Sequence, residues 1–213
     1  MQVYAFTTGP LENNTYVLVD ETSGEAAVID PGLECEPVVA FVQQGKYRLV
    51  WIINTHGHFD HVAGNIVFKN QFGAPVAMHS SDIPLLKLAH RQAANFGIDV
   101  PEQANPDRLL EDIDELIIGY IKVASRRTPG HSPGGIILEV PGIVFTGDTL
   151  FAGSIGRTDL LYGDYDELMG SIRKTLLPLP EDTRIYPGHG PSTDIKTERQ
   201  HNPFLRDLLV GEN

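Results

Sequence analysis

The sequence predicts an α/β protein in which strands and helices form layers, and three observations support this prediction. Apolar runs of strand length occur in both halves of the chain. Segments with helical apolar spacing lie between and after them. One strand is followed directly by a polar loop, a helix and another strand, the order of a layered α/β unit. Two packed sheets with helices outside fit this order, although periodicity alone does not select that arrangement.

In the first half, "LVWII" (49–53) is a continuous apolar run, which is typical of a strand buried on both faces. Apolar runs bounded by turn residues predict three further strands, over 15–20, 25–30 and 74–79. Apolar residues at helical spacing predict three helices, over 35–46, 61–73 and 82–97. The second of these helices is expected to end near Gly73.

The second half contains more strands. Two are predicted within 114–128, with a turn at Gly119, and two within 134–150, joined by a turn at Pro141–Gly142. A helix is predicted over 164–179, starting from an aspartate cap. A last strand leads into a loop over 183–191, and a final helix over 196–209 is interrupted by Pro203.

Composition narrows the class of protein. The chain has 213 residues, which fits one large domain or two very small ones, and 41% of them are hydrophobic, so it can bury a core. One domain over 1–213 is expected. Its 28 Asp and Glu against 16 Lys and Arg give a net charge of −12, which argues against binding to nucleic acid or anionic membrane. Cys35 is the only cysteine, so a cysteine-based metal site is excluded. No secretory signal or apolar run of membrane-spanning length is visible, and a cytoplasmic protein is expected.

The densest chemical motif is "NTHGHFDHVAG" (54–64), which follows the buried-type strand. A single histidine there would ordinarily be a surface or core residue, and Asp60 could be a helix cap. The combination favours metal binding instead. His56 and His58 are two apart in extended chain, so both imidazoles can reach one ion. Asp60 and His61 lie at a loop-to-helix turn, which suggests a second ion beside the first.

Three further candidate ligands follow apolar strands in the same way. They are His131 in "RRTPGHSPGG", Asp148 in "IVFTGDTLF" and His189 in "RIYPGHGPS". In open α/β sheets, sites assemble in the loops beyond the carboxyl ends of strands. The sequence therefore predicts that these loops meet the "THGHFDH" segment.

These motifs, together with "DPG" (30–32), "GHSPGG" (130–135) and "FTGDTLF" (145–151), resemble the metallo-β-lactamase-fold hydrolases. The likeness is greatest to short glyoxalase II-like thioesterases of the hydroxyacylglutathione hydrolase type. The resemblance implies a four-layer αββα sandwich of two mixed sheets with helices outside. It also implies two divalent metal ions, zinc being expected, with iron or manganese as alternatives. One ion would take His56, His58 and His131, the other Asp60, His61 and His189, and Asp148 would bridge them.

The chemistry implied is attack of a metal-bridging hydroxide, held and oriented by Asp60 and Asp148, on a thioester carbonyl. A thiolate with a conjugate pKa of about 8.5 leaves with little acid assistance. Two divalent ions, two carboxylates and one hydroxide leave a charge of about +1, which favours a small anionic substrate. Arg157 is predicted to bind a substrate carboxylate, the alternative being an ion pair with Asp159.

The chain departs from full-length glyoxalase II in three ways. Asp159 stands where that family has a tyrosine in its glutathione-binding loop, and "GHGPS" lacks the tyrosine that usually follows the last histidine. The chain is also expected to lack the long C-terminal helical domain of that family. The expected substrate is therefore a glutathione thioester or a related small thioester.

Two other functions remain open on the sequence. "GRTDL" (156–160) also resembles persulfide dioxygenases of the same superfamily, in which His56, His131 and Asp148 would hold a single iron. A metal-binding module without catalysis is the third hypothesis, and it predicts a closed coordination shell.

Overall fold

Two six-stranded sheets pack face to face, and helices cover both outer faces. This is the arrangement in the computed structural model, which describes residues 1–209. It confirms the α/β class and the αββα order of layers. Residues 210–213, the end of the expected domain, lie outside the described residues.

The first sheet is antiparallel at one edge and parallel at the other. Its strands, in spatial order, are β1 (Gln2–Thr8), β2 (Asn13–Asp20), β3 (Glu25–Ile29), β4 (Arg48–Ile53), β5 (Val76–His79) and β6 (Arg108–Leu110). Pairing is antiparallel among β1, β2 and β3 and parallel from β3 to β6. The parallel strands β4 and β5 therefore deliver their following loops to the same edge.

The second sheet has one parallel pair. Its strands, in chain order, are β7 (Ile113–Ile118), β8 (Ile121–Arg127), β9 (Ile136–Val140), β10 (Ile143–Gly147), β13 (Arg184–Pro187) and β14 (Thr193–Asp194). Only β10 and β13 pair in parallel. A small hairpin, β11 (Leu150–Phe151) with β12 (Ser154–Ile155), follows β10. Gly119 and Gly142 form the predicted turns with positive φ.

Seven helices complete the layers. They are α1 (Glu36–Gln44), α2 (Phe59–Val62), α3 (Asn65–Phe72), α4 (Ile83–Ala94), α5 (Tyr165–Ser171), α6 (Ile195–His201) and α7 (Arg206–Leu209) within the described residues. A π-helical turn (Ile172–Leu176) continues α5, whose predicted aspartate cap is Asp164. Proline interrupts the last helix as predicted, since Pro203–Leu205 forms a 3-10 turn. No helix of the described part is long and apolar enough to cross a membrane.

The largest core lies between the two sheets, where each contributes its inward-facing residues. Tyr16, Leu18 and Ile53 of the first sheet meet Leu138 and Phe145 of the second. On the outer face of the first sheet, α1 and α3 pack on β2 to β5, and α5 and α6 cover the second. Burial of apolar side chains on both faces explains why the central strands read as continuous apolar runs.

The predicted helix over 61–73 is two helices in the structure. It is divided at Gly64, whose N–H donates to the Pro31 carbonyl at 2.9 Å. A Cβ at Gly64 would lie 2.7 Å from the Gly32 carbonyl oxygen, so only glycine permits this close approach. Gly73 ends α3 in the left-handed conformation, where the sequence placed the end.

Strands β1, β6, β11, β12 and β14 were not predicted. Four of them are two or three residues long, too short for periodicity to register. Strand β1 is an edge strand and most of its residues are at least partly exposed, so it lacks the apolar run that marked its neighbours.

Candidate metal centre

The "THGHFDH" segment leaves the end of β4 and becomes α2 within a few residues. His56 and His58 lie in the loop, whereas Asp60 and His61 lie on the helix itself. His58 occupies the cap position, so Asp60 is not the helix cap. Since all four side chains are buried, the turn from strand to helix places them in the interior.

The three other predicted residues come from the second sheet. His131 lies between β8 and β9, Asp148 between β10 and β11, and His189 directly after β13. The structure brings all three to the "THGHFDH" segment. The sequence argument from strand ends therefore identified loops that do converge.

His56, His58 and His131 form one group, with one potential ligand atom from each lying within 4.8 Å of the others. The His58 Nδ1 lies 2.9 Å from the His131 Nε2. The rings of His56 and His131 are edge to face, with centroids 4.9 Å apart. Three nitrogen atoms thus converge on one point, as the first predicted ion requires.

Asp60, His61 and His189 form the second group within the same 4.8 Å limit. The Asp60 Oδ2 lies 3.2 Å from the His189 Nε2 and 3.5 Å from the His61 Nε2. The two histidine Nε2 atoms are 3.2 Å apart.

Asp148 lies between the two groups. Its Oδ1 is 3.4 Å from the His61 Nε2, and its Oδ2 is 3.5 Å from the His131 Nε2. One carboxylate therefore reaches a member of each group, as a bridging ligand must. We call these seven side chains the metal floor: His56, His58, Asp60, His61, His131, Asp148 and His189.

Hydrogen bonds behind the metal floor fix which ring nitrogen faces inward. The His131 Nδ1 donates to the Arg157 carbonyl at 2.7 Å, and the His189 Nδ1 donates to the Leu11 carbonyl at 3.1 Å. A carbonyl only accepts, so each Nδ1 carries a proton, and in the neutral form of each ring the Nε2 lone pair is left for a metal.

Asp30 lies behind the metal floor and supports it, although the sequence analysis assigned Asp30 no role beyond the "DPG" resemblance. Its Oδ2 lies 3.1 Å from the His61 Nδ1. Thr55 donates to both oxygens of Asp30, from its N–H at 2.7 Å and its hydroxyl at 2.6 Å. The Thr55 Oγ1 also lies 3.0 Å from the His56 Nδ1, so Asp30 orients one histidine of each group.

Asp82 was missed by the sequence reasoning. This fully buried carboxylate accepts bonds from the Gly57 N–H and the Ser132 hydroxyl, both at 2.8 Å, and from the Gly134 N–H. It ties the loop of His56 and His58 to the loop of His131. Its position in the sequence was one indication of a role at this edge of the sheet, because Asp82 follows β5 much as the predicted ligands follow their strands.

Burial and charge set the protonation of the floor. Burial lowers the pKa of His56 well below its usual value and that of His58 to about 3. Burial also opposes a charge on His61, but Asp148, Asp60 and Asp30 outweigh it and raise the pKa of His61 to about 10. Burial disfavours the Asp60 carboxylate as well, yet His61 and His189 lower its pKa overall. Metals bind neutral imidazoles and ionised carboxylates, so metal binding must displace the proton that the neighbouring carboxylates hold on His61.

Two buried atoms test whether a metal fits. Within the described residues, the His56 Nε2 and the Asp148 Oδ1 are buried without a hydrogen-bond partner. Such orphaned polar atoms are costly, and metal coordination would satisfy both. Imidazole nitrogens with carboxylate oxygens suit zinc, iron or manganese. The residues present therefore fit divalent metal ions.

The metal floor opens into a cleft of about 610 Å³. His58, Asp60, His131, Asp148 and His189 line its base. Arg157 also lines it, but the guanidinium forms two hydrogen bonds of 2.9 Å to the Asp159 carboxylate. The alternative ion pair is thus present in this structure, and substrate binding by Arg157 stays a prediction.

Comparison with known proteins agrees with this geometry. The sequence model of the metallo-β-lactamase superfamily matches residues 8–189. The chain is 36% identical to the probable metallo-hydrolase YqgX of Bacillus subtilis, over 95% of this chain and 96% of that protein. It is 38% identical to the hydroxyacylglutathione hydrolase GloC of Haemophilus influenzae, over 88% and 91%.

Solved structures give the same result. The chain superposes on BLEG-1 B3 metallo-β-lactamase with a TM-score of 0.90 at 36% identity, covering 96% of this chain and 100% of that one. The di-iron-bound form of TTHA1623 gives 0.87 at 38% identity, covering 95% and 100%. ETHE1 from Myxococcus xanthus gives 0.79 at 27% identity, covering 95% and 84%. The chain belongs to the metallo-β-lactamase superfamily.

Proposed function

We propose that this protein is a dinuclear metal-dependent hydrolase whose substrate is a small thioester, such as a glutathione thioester. The observation that supports it most is the metal floor, in which two groups of three donors are joined by Asp148 at the base of a cleft. The superfamily match and the relative named as a metallo-hydrolase support metal-dependent hydrolysis. The relative named as a hydroxyacylglutathione hydrolase supports the thioester.

His56, His58 and His131 would hold one ion and Asp60, His61 and His189 the other, with Asp148 shared. When bound, two divalent ions supply hydroxide near neutral pH and Lewis acidity toward a carbonyl oxygen. Zinc is the metal we propose, and iron is the chief alternative, since one similar structure contains two irons.

The chain's own residues prepare the reaction in two ways. The carboxylates of Asp60 and Asp148 lie on the cleft base, each within 3.7 Å of the His189 Nε2, so they can accept hydrogen bonds from an attacking water and orient it. The cleft lining is largely apolar, with Phe59, Phe151 and Leu160 among its residues, which lowers the local dielectric around a substrate. No side chain has to protonate the leaving thiolate, because a thiolate is a stable anion near neutral pH.

The other two functions differ from this proposal in what the site must provide. In the dioxygenase hypothesis, His56, His131 and Asp148 alone would hold one iron. Such enzymes can retain the residues of the second group, so Asp60, His61 and His189 do not separate the two hypotheses. A non-catalytic module needs a closed shell, whereas this floor borders a cleft of about 610 Å³. The open cleft favours an enzyme over the non-catalytic module, and the relatives named as hydrolases are more similar to this chain (36% and 38% identity) than ETHE1 is (27%), which favours the hydrolase.

The test is a paired assay on one metal-loaded preparation. Thioester hydrolysis and oxygen consumption with glutathione persulfide are measured together, with a β-lactam as a third substrate because one similar structure is a B3 metallo-β-lactamase. We expect hydrolysis of S-acylglutathione without oxygen uptake. Oxygen uptake without hydrolysis would reject the proposal in favour of the dioxygenase.

A further inference from the structure

The cleft above the metal floor has a wall that the chemistry described so far does not use. It comes partly from α4 and the residues after it and partly from the loop that follows β12. We call these residues the cleft wall: Leu88, Arg91, Gln92, Asn95, Phe96, Arg157, Leu160 and Leu161. In α4 the apolar side chains Leu85, Leu86 and Ala89 are buried. Leu88, Arg91 and Asn95 follow each other at helical spacing on another face, and that face borders the cleft.

Arg91 and Arg157 are the two arginines of the cleft wall, and they differ in their partners. Arg157 is held by both oxygens of Asp159. Arg91 makes no hydrogen bond or ion pair with any group in the described part of the chain. In a protein of net charge −12, an arginine without a carboxylate partner beside the metal floor is available to an anion.

Apolar side chains line the same cleft as Arg91. Phe96 is 58% exposed and Leu161 53% exposed, and both line the cleft. The Phe96 ring packs against the buried Phe59 with centroids 5.4 Å apart, so an exposed aromatic ring lies against the residue that precedes Asp60 of the floor. Exposed apolar surface of this kind next to a functional site marks a binding region for hydrocarbon.

We propose that Arg91 binds a carboxylate of the substrate while Leu88, Phe96 and Leu161 contact its hydrocarbon part. This inference rests on the proposed thioester hydrolysis and deepens it by naming a substrate class: a thioester that combines an apolar group with a carboxylate. Arg91 is a specificity residue, since it acts on binding and has no part in bond breaking. Its guanidinium can form two parallel hydrogen bonds to a carboxylate, which an uncharged amide does not reproduce.

The experiment compares matched pairs of ligands. S-hexanoyl thioesters of ω-mercaptoalkanoic acids two to six carbons long are assayed beside their uncharged carboxamides, so the series covers different reaches from the floor. The enzymes are the wild type, Arg91→Gln, Arg91→Lys and the control Arg173→Gln. Arg173 is exposed and does not line the cleft. The corresponding thioethers, which cannot be hydrolysed, are measured by calorimetric binding.

We expect the wild type to prefer the acid of at least one pair by about tenfold in kcat/KM, through KM. Arg91→Gln should remove this preference and leave kcat/KM for the amide within about twofold of the wild-type value. Arg91→Lys should retain part of the preference for the acid, and Arg173→Gln should leave that preference unchanged. A preference that survives in Arg91→Gln would mean that the metals or Arg157 hold the carboxylate, and would overturn the proposal. An equal decrease in kcat/KM for the acid and the amide in Arg91→Gln would also overturn the proposal.

The thioethers separate this inference from the proposed function. If no thioester is hydrolysed, the proposed function is rejected. The role of Arg91 as a carboxylate-binding residue is still supported if Arg91→Gln selectively weakens binding of the acid thioethers. If thioesters are hydrolysed but the acid and amide thioethers bind the wild type equally, the proposed role of Arg91 is rejected and the proposed hydrolase function is kept.

Discussion

The metal floor and the cleft wall border the same cleft, but the floor is buried and held by hydrogen bonds, whereas much of the wall is exposed. On the floor, His56 and His61 are at most 1% exposed, and hydrogen bonds behind them fix their orientation. On the wall, Phe96 and Leu161 are more than half exposed, and Arg157 is paired only with its neighbour Asp159. Folding therefore fixes the orientation of the chemical groups on the floor, whereas a few exposed side chains of the wall determine which substrates bind.

The difference reflects what each region requires. Metal ligands must be held to within fractions of an ångström, which needs partners such as Asp30 and Asp82 that are themselves buried. A wall that sorts substrates needs only suitable shape and charge. Changes to the floor should therefore have large effects on catalysis and stability, and changes to the wall small effects on substrate preference.

The largest effect is expected from His189→Ala. The variant removes one of the three donors that we propose for the second ion, and kcat/KM for thioester hydrolysis should fall at least about 1,000-fold, because loss of a residue that only supports a metal ligand already costs 10- to 100-fold. His201→Ala, an exposed histidine at the end of α6, is the control. Normal hydrolysis by His189→Ala would refute the two-metal assignment, and oxygen uptake retained by this variant would favour the one-iron alternative.

Asp82→Ala should affect stability most. It leaves the donors of Gly57, Ser132 and Gly134 without their acceptor, so the free energy of unfolding should fall by about 3 kcal/mol or more, roughly 1 kcal/mol for each buried donor. Urea denaturation of the metal-free protein separates this loss from metal binding. Asp82→Asn keeps one acceptor oxygen and should lose less. Equal stability of the alanine variant and the wild type would show that Asp82 does not hold the two loops together.

Asp30→Asn should weaken metal binding with little change in fold. Asparagine tolerates the positive φ of 50° at this position but removes the carboxylate beside the His61 Nδ1. We expect metal affinity to fall 10- to 100-fold, measured by competition with a chelator. Asp20→Asn is a matched control, since Asp20 is a buried carboxylate that accepts bonds from Thr22 and Ser23 in another turn. A similar loss of affinity in both variants would point to a general effect on folding.

Arg157→Gln should have the smallest effect. The pair with Asp159 has side chains 64% and 70% exposed, so its loss should change the free energy of unfolding by less than about 1 kcal/mol. A substrate carboxylate must displace Asp159 to reach Arg157, so KM for an acid thioester should rise by no more than about threefold. A rise of tenfold or more would show that Arg157 leaves Asp159 to bind the substrate, and would extend the anion site beyond Arg91.

The sequence predicted the parts of the molecule that follow from local chemistry. His131, Asp148 and His189 were identified because each follows an apolar strand, and strands in layered sheets end at a common edge. The αββα order came from the resemblance, since alternating strands and helices fit more than one way of stacking two sheets. The break at Gly64 was missed because its cause, the approach of Pro31 and Gly32, is a contact between distant parts of the chain.

The remaining residues needed the tertiary structure. Asp82 lies 25 residues from Gly57 and 50 from Ser132, so no local pattern pairs it with either loop. Arg91 lies on a helix whose helical spacing was predicted, but which face borders the cleft depends on how α4 packs. Sequence spacing thus identifies groups that carry chemistry, whereas supporting and selecting residues depend on long-range packing.

The most direct test of the two-metal floor is a titration of metal-depleted protein with zinc while thioester hydrolysis is followed. The proposed site, with three donors for each ion and a shared Asp148, predicts that activity rises until two equivalents are bound and then stays constant. His189→Ala should bind one equivalent tightly and stay almost inactive. Full activity of the wild type at one equivalent, or hydrolysis that persists in the metal-depleted protein, would contradict the account.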